Sequence, residues 1–231
     1  MRAPTSSPKP HEIPEASLRR LPIYYRCLQD MMAAGVTHAV SCADLARALG
    51  LDPTLVRKDI EMTGIVGKPR VGYPLGELAH WIENFLGFSR PKAAVLAGTG
   101  SLGSALLGYE KFRSHGMQIV AAFDVDGEKI GQWIHGTEVQ PLFFLPEYVR
   151  KTGTPLGLIA TPAHAAQSVA DLMVSGGIRA IWNFAPAYLH VPKGVILQNE
   201  DLYHSLASLS FKLESRTKVT PVESEIYVQN N

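Results

Sequence analysis

Lys92-Ala93-Ala94-Val95-Leu96-Ala97 is followed without a break by Gly98-Thr99-Gly100-Ser101-Leu102-Gly103, and then by Ser104-Ala105-Leu106-Leu107. The first six residues read as a buried parallel strand, the next six as a GxGxxG turn, and the last four as the opening of a helix. Each glycine has a job in that setting. Gly98 permits the tight turn, Gly100 lets the backbone approach a pyrophosphate, and Gly103 allows close helix-strand packing. The helix start, with Thr99, Ser101 and Leu102 around it, offers amide donors and a positive dipole end to phosphate.

Working outward, Gln118-Ile119-Val120-Ala121-Ala122-Phe123 reads as a second buried strand ending in Asp124, about 20 residues past the glycines. A carboxylate there accepts hydrogen bonds from the adenosine ribose and repels a 2′-phosphate, which favours NAD over NADP. The alternation continues with a strand at Leu156 to Ala160, a helix from about Ala163 to Ser175, and a strand at Ile178 to Trp182. Thr161-Pro162 and Asn183-Phe184-Ala185-Pro186 fall at the ends of those strands, where open parallel sheets bind ligands, so they are expected near the nicotinamide. His164 is the one candidate proton donor there, and such a histidine is more often a surface or capping residue. This region reads as a Rossmann-type, doubly wound parallel α/β sheet that binds NAD(H).

The chain before Ser89 has a different character. A helix running to Ala34 is entered near Ser17 or at Pro22, since proline is acceptable only in a first turn. Gly35 caps it. Ser41 to Asp44 resembles a capping box opening a short helix from Ala43 to Leu49, which Gly50 closes. Asp52 and Pro53 open the next helix, and Gly64, Gly67 and Gly72 mark turns beyond it. Two short helices behind a longer one, before a glycine-rich hairpin, have the layout of a winged helix-turn-helix. Arg57 and Lys58 on the second helix and Lys68 and Arg70 on the wing would meet DNA phosphates and grooves. A helical bundle used for dimerisation fits the same spacing.

Composition narrows the function classes. The chain has 231 residues, 46% of them hydrophobic, enough to bury a core. It offers no stretch of roughly 18 apolar residues for a membrane span and no apolar signal core at its start, so a cytoplasmic protein is expected. Cys27 and Cys42 lack metal-ligand spacing, and no metal site is expected. Lys and Arg number 11 against 9 Asp and Glu up to Arg90, and 11 against 12 thereafter, too small an asymmetry to indicate a partner. A dehydrogenase also needs a substrate domain and a positioned acid or base. The sheet is expected to finish by about Pro186, with only about 45 residues beyond. Within them Asn199 to Leu213 reads as one amphipathic helix with Leu202, Leu206, Leu209 and Leu213 on its apolar side, better suited to dimerisation than to catalysis. A small NAD-dependent dehydrogenase with a helical arm and a CoA-binding module remain alternatives, Asp124 arguing against the second.

Taken in order, Arg20 to Arg26, Val56 to Asp59, Val71-Gly72-Tyr73, Gly98 to Tyr109, Ala121 to Asp126, Asn183 to Pro186 and Asn199 to Leu202 resemble the Rex family of bacterial redox-sensing transcriptional repressors. The resemblance covers about Ile13 to Leu213. It implies a disordered tail over 1–15, a winged-helix domain over 16–88, an NAD(H)-binding Rossmann domain over 91–196, a domain-swapped C-terminal helix over 199–213 and a disordered tail over 214–231. It implies a homodimer that binds palindromic operator DNA through the major groove, is released by NADH and is not an enzyme. Arg26, Tyr109 and Asp201 are implied as a polar switch network. Two stretches depart from the family pattern. Glu61-Met62-Thr63-Gly64 stands where relatives usually have a Ser-Tyr-Phe-Gly type of stretch, and Pro69-Arg70 where they have Arg-Gly. These departures imply an altered operator, or a paralogue with weakened DNA binding.

Overall fold

The structure is a computed structural model that describes residues 13–217. The described residues up to Pro91 form one unit together with Glu110–Gln118, and Lys92–Tyr109 with the described residues from Ile119 form the other. Of the tails expected over 1–15 and 214–231, residues 1–12 and 218–231 lie outside the described residues, and Glu15 already opens the first helix.

The first unit opens with α1 (Glu15–Ala33), which buries Leu21, Tyr24, Tyr25 and Leu28. It does not begin at Ser17 or Pro22. Pro22 lies inside it, on an exposed position. Proline there forfeits one ladder hydrogen bond at a cost of roughly 3 kcal/mol. Burial of the opposite face offsets that cost, so tertiary packing overrides a local stop signal. The helix ends in a Schellman motif: Val36 N–H donates to Met31 O at 3.0 Å, Gly35 N–H donates to Met32 O at 3.0 Å, and Gly35 sits at φ +81°.

After β1 (Ala39–Val40), α2 (Cys42–Leu49) carries the capping box, Asp44 N–H donating to Ser41 Oγ and Ser41 N–H to Asp44 Oδ2. Asp52 Oδ1 accepts from the amides of Thr54 and Leu55 to start α3 (Pro53–Met62). β2 (Tyr73–Pro74) pairs antiparallel with β1, and a bridge between Lys68 and Gly72 closes the small wing before it. α4 (Leu75–Leu86) then packs on α1. It begins at Pro74 with no side-chain cap, so it lacks the start signal that marks α2 and α3. Leu21, Tyr24, Leu28, Leu45, Val56, Ile60, Leu78 and Ile82 form the core of this unit.

The second unit contains β3 (Lys92–Ala97) and α5 (Ser101–Leu107). The chain then runs through α6 (Lys111–Ser114), in the first unit, where the His115 ring stands edge-on to Phe88 at 5.0 Å. There follow β4 (Met117–Asp124), β5 (Trp133–Ile134), β6 (Thr137–Pro141), a 3-10 turn at Leu142–Phe144 and α7 (Leu145–Thr152). The unit is completed by β7 (Leu156–Ile159), α8 (Ala163–Gly176), β8 (Ala180–Asn183), β9 (Ile196–Asn199) and α9 (Leu202–Thr217). Among the described residues the sheet runs β5-β6-β4-β3-β7-β8-β9. Apart from β5, which pairs antiparallel with β6 across a His135-Gly136 turn, this is the doubly wound order of a dinucleotide fold. Strand order reverses between β3 and β7, which pair in parallel register with Ala97 opposite Ile159. Val95, Ala97, Phe123, Ile159, Val169 and Met173 pack in its core.

Two expectations are corrected. The sheet does not finish by Pro186, because β9 adds to β8 with Trp182 opposite Gln198. The last helix therefore begins at Leu202 rather than Asn199, and it runs to Thr217, four residues into the expected tail. A four-residue strand leading directly into an amphipathic run has too few residues to show a period of its own. Pairing with β8 decides it. On α9, Leu206, Leu209 and Leu213 are exposed, with Tyr203 and Phe211; the side chain of Leu202 lies outside what is described. No helix among the described residues is long and apolar enough to cross a membrane.

Candidate functional site

At the point where strand order reverses, the glycine turn is built as its sequence requires. Gly98 sits at φ +92° and donates its N–H to Phe123 O at 2.8 Å. A Cβ there would stand 2.6 Å from Ala160 O, across the switch point. A Cβ on Gly103 would collide with the Gly98 carbonyl oxygen. Gly100 is different, since a Cβ there would meet nothing within 4 Å. No packing demands glycine at that position. The space it leaves belongs to a cavity of about 490 Å³ that Gly100 lines with Gly98 and Leu102.

The far side of the cavity comes from β7, α8 and the segment after β8: Thr161, Pro162, His164, Phe184 and Pro186. Thr161 Oγ1 is buried there without a hydrogen-bond partner among the described residues. An orphaned hydroxyl is a costly feature that a polar ligand relieves. The open position at Gly100, this hydroxyl and the apolar lining fit an elongated ligand with a phosphate at one end of its reach and a ring at the other. A nicotinamide dinucleotide has that form.

Asp124 lines the same cavity, but its oxygens are already engaged. Oδ2 accepts from the amide and hydroxyl of Thr99 at 2.7 and 2.6 Å, and Oδ1 from the amides of Val125 and Asp126 at 2.8 and 3.1 Å. Four donors match the four lone-pair sites of a carboxylate. Burial pushes its pKa up, but these hydrogen bonds outweigh it and hold the carboxyl below its ordinary value. Asp124 is thus a latch that ties the glycine turn to the end of β4. The ribose contact read from the spacing would have to share oxygens with Thr99. Lys129, which the sequence did not single out, lies 3.6 Å from Asp124 and 3.3 Å from Asp126 and also lines the cavity.

The remaining expected residues do not line the cavity. Thr99 is buried on Asp124, and Ser101 and Gly103 belong to α5. Asn183 is buried and shapes its own loop, its amide donating to Ala185 O, Ala187 O and Asn199 Oδ1 and its carbonyl oxygen accepting from Ala185 N–H. Phe184 and Pro186 reach the cavity because Asn183 and Ala185 brace the turn.

In the first unit a groove of about 600 Å³ runs between α3 and the wing. Arg57, Lys68 and Arg70 line it together with Glu61, Val66 and Tyr73; Lys58 is exposed outside it. Arg70 holds φ +63°, the left-handed region that favours glycine. Its cation is therefore carried at a wing position where an L side chain costs roughly 1 kcal/mol or more. Burial pushes the Cys42 thiol up at the foot of this groove.

Sequence reasoning missed the residue that holds the groove's main element. Asp59 on α3 is fully buried, and Arg20 of α1 grips it through two bonds, Nε to Oδ2 at 2.6 Å and Nη2 to Oδ1 at 2.9 Å. Tyr24 OH donates to Oδ2 at 2.6 Å. Burial raises the Asp59 pKa, but these partners with Ser17 outweigh it and hold it below the ordinary range. With Asp59 turned inward, Arg57 and Lys58 face out. The only local signal was a carboxylate on the inner face of an amphipathic helix. Of the three expected switch residues, Arg26 is exposed on α1 in the first unit, whereas Tyr109 and Asp201 belong to the second. Asp201 caps α9, its Oδ1 accepting from Tyr203 N–H at 2.8 Å.

Residues 12–60 match the family model of a putative DNA-binding protein N-terminus, and residues 89–187 that of a CoA binding domain. The redox-sensing transcriptional repressor Rex of Pelotomaculum thermopropionicum is 44% identical over 202 residues, covering 87% of this chain and 94% of that protein. The crystal structure of RSP with β-NAD+ and operator DNA superposes with a TM-score of 0.84 at 30% identity, covering 89% of this chain and 94% of that one. RSP with β-NADH gives 0.81 at 30% identity, over 90% and 97% of the two chains. A cationic groove on a winged helix, a dinucleotide-shaped cavity at a sheet switch point and identity over nearly the whole length place the chain in the Rex family of redox-sensing transcriptional repressors.

Proposed function

We propose that this chain is a cytoplasmic homodimeric repressor that binds a palindromic operator through α3 and the wing and leaves it when NADH fills the cavity of the second unit. The observation that carries this reading is the pairing, in one chain, of a groove lined by Arg57, Lys68 and Arg70 with a cavity built on Gly98, Gly100 and Leu102. The turn from Gly98 to Gly103 would hold the pyrophosphate, latched by Asp124 through Thr99. Thr161, Pro162 and the segment from Asn183 to Pro186 would hold the nicotinamide end. Lys58 would add an outer phosphate contact.

The dinucleotide supplies a charge that depends on its redox state, since the oxidised ring is cationic and the reduced ring neutral. Pro162, Phe184, Pro186 and Leu142 offer an apolar lining, and a cation pays more desolvation to enter it. A preference of about 100-fold for NADH corresponds to about 2.7 kcal/mol, within the usual range of allosteric coupling. The exposed apolar residues of α9 suit a helix exchanged between protomers. Arg26, Tyr109 and Asp201 would form the polar network with two alternative pairings that the cofactor biases. The functional domains would be 16–88, 91–196 and the exchanged helix, read from sequence over 199–213 and running from Leu202 to Thr217 in the structure, and no hydride transfer to a substrate is assigned.

A mobility shift on the protein's own promoter, titrated with NADH against NAD+, tests the reading. Arg57→Ala is expected to abolish the shift and leave NADH binding intact, and Asp124→Ala to do the reverse. A complex that NADH leaves untouched, or a chain that binds CoA more tightly than NADH, would overturn it.

A further inference from the structure

The groove between α3 and the wing holds one residue that its cations do not explain. Glu61 lines it beside Arg57, Lys68 and Arg70, one turn along α3 from Arg57 and so on the same helix face. It is exposed, and among the described residues no side-chain hydrogen bond or ion pair engages it. A carboxylate facing the DNA backbone lowers affinity by like-charge repulsion. Glu61 also sits in the last turn of α3, where the helix dipole is negative, so the position is unfit to clamp a phosphate. What a carboxylate can engage on a duplex is an amino group on a base edge. In the major groove, Glu pairs with the N4 amino group of cytosine.

We propose that Glu61 is a specificity-determining residue that reads a cytosine in the major groove of each operator half-site. The inference rests on the repressor reading above. It assigns to one side chain both a cost and a gain: Glu61 weakens binding to duplexes in general and recovers the loss only where cytosine presents its amino group.

The test is selection of the full-length protein, with NAD+ present, against duplexes randomised through the site. Glu61→Ala and Glu61→Gln are run beside it. The wild type is expected to enrich cytosine at one position per half-site. Glu61→Ala should lose that preference by about tenfold, the scale of one mismatched base pair, and keep the rest of the site. Glu61→Gln should move the preference toward adenine, whose N6 and N7 suit an amide. Unchanged NADH binding by both variants checks that they fold. If Glu61→Ala enriches the same sequence as the wild type and binds every duplex more tightly by one factor, Glu61 only repels phosphate and the inference falls while the repressor reading stands. If the wild type enriches no sequence, the repressor reading falls and the inference with it.

Discussion

Each unit of this protein uses one carboxylate to hold its working element, Asp59 fully buried and Asp124 half-buried, and the two do it by opposite means. Asp59 is gripped by side chains from 39 and 35 residues away, one of them a guanidinium. Asp124 is held mainly by backbone amides, two of them within two residues of it. The first arrangement fixes how a whole helix is rolled, and so which of its residues face outward. The second fixes the path of a turn mainly through backbone dipoles, with the Lys129 ammonium 3.6 Å away. A DNA reader needs its cations aimed, whereas a phosphate cradle needs its turn held in one path so that a ligand can approach at Gly100.

The contrast can be broken at its strongest point first. Arg20→Ala leaves a fully buried carboxylate without its cation, and loss of one partner of such a pair costs roughly 3–5 kcal/mol. Chemical denaturation should show a destabilised first unit and mobility shifts should show lost operator binding, with NADH affinity within about twofold of wild type; a parallel loss of NADH binding would mean the two carboxylates are not independent. Gly103→Ala puts a methyl group against the Gly98 carbonyl oxygen. Overpacking of this kind costs roughly 1–3 kcal/mol, and calorimetry should show NADH binding impaired while the DNA complex formed with NAD+-free protein persists. Thr99→Val keeps the amide on Asp124 but removes the hydroxyl, a bond to a charged acceptor that contributes about 1.5–3 kcal/mol. Its thermal midpoint should fall less than that of Asp124→Ala, and the reverse order would refute the latch.

The smallest effect is in pH. Both carboxyls are held below their ordinary values, so each contributes stability that is complete above the unfolded pKa of about 4 and is lost as pH falls through the lower folded value. The stability gap between wild type and Asp59→Asn, measured in urea, should therefore be constant from pH 7 to about 5 and close below 4. A gap that widens in acid would contradict the sign.

Much of the second unit was legible in sequence because its signals are local. The glycine turn declares its strand, its helix and its ligand within 16 residues, from Lys92 to Leu107. The caps at Ser41 and Asp52 did the same for α2 and α3. Where local signals conflicted with packing, packing won. Pro22 reads as a helix start and is carried mid-helix, and Asn199 reads as the start of a helix and completes a strand. The spacing that located Asp124 did not show that its oxygens also hold Thr99, since a ribose ligand and a turn latch require the same residue type at the same place.

By itself, then, the sequence determined the cofactor turn, the capped helix pair and the family, because each rests on neighbours along the chain or on many short motifs in order. Only the tertiary structure decided that Asp59 faces inward, that Arg57, Lys68, Arg70 and Glu61 share one groove, and that Asp124 holds Thr99. Those contacts join residues far apart in the chain, and the free energy that selects them comes from burying and pairing groups that no short window contains.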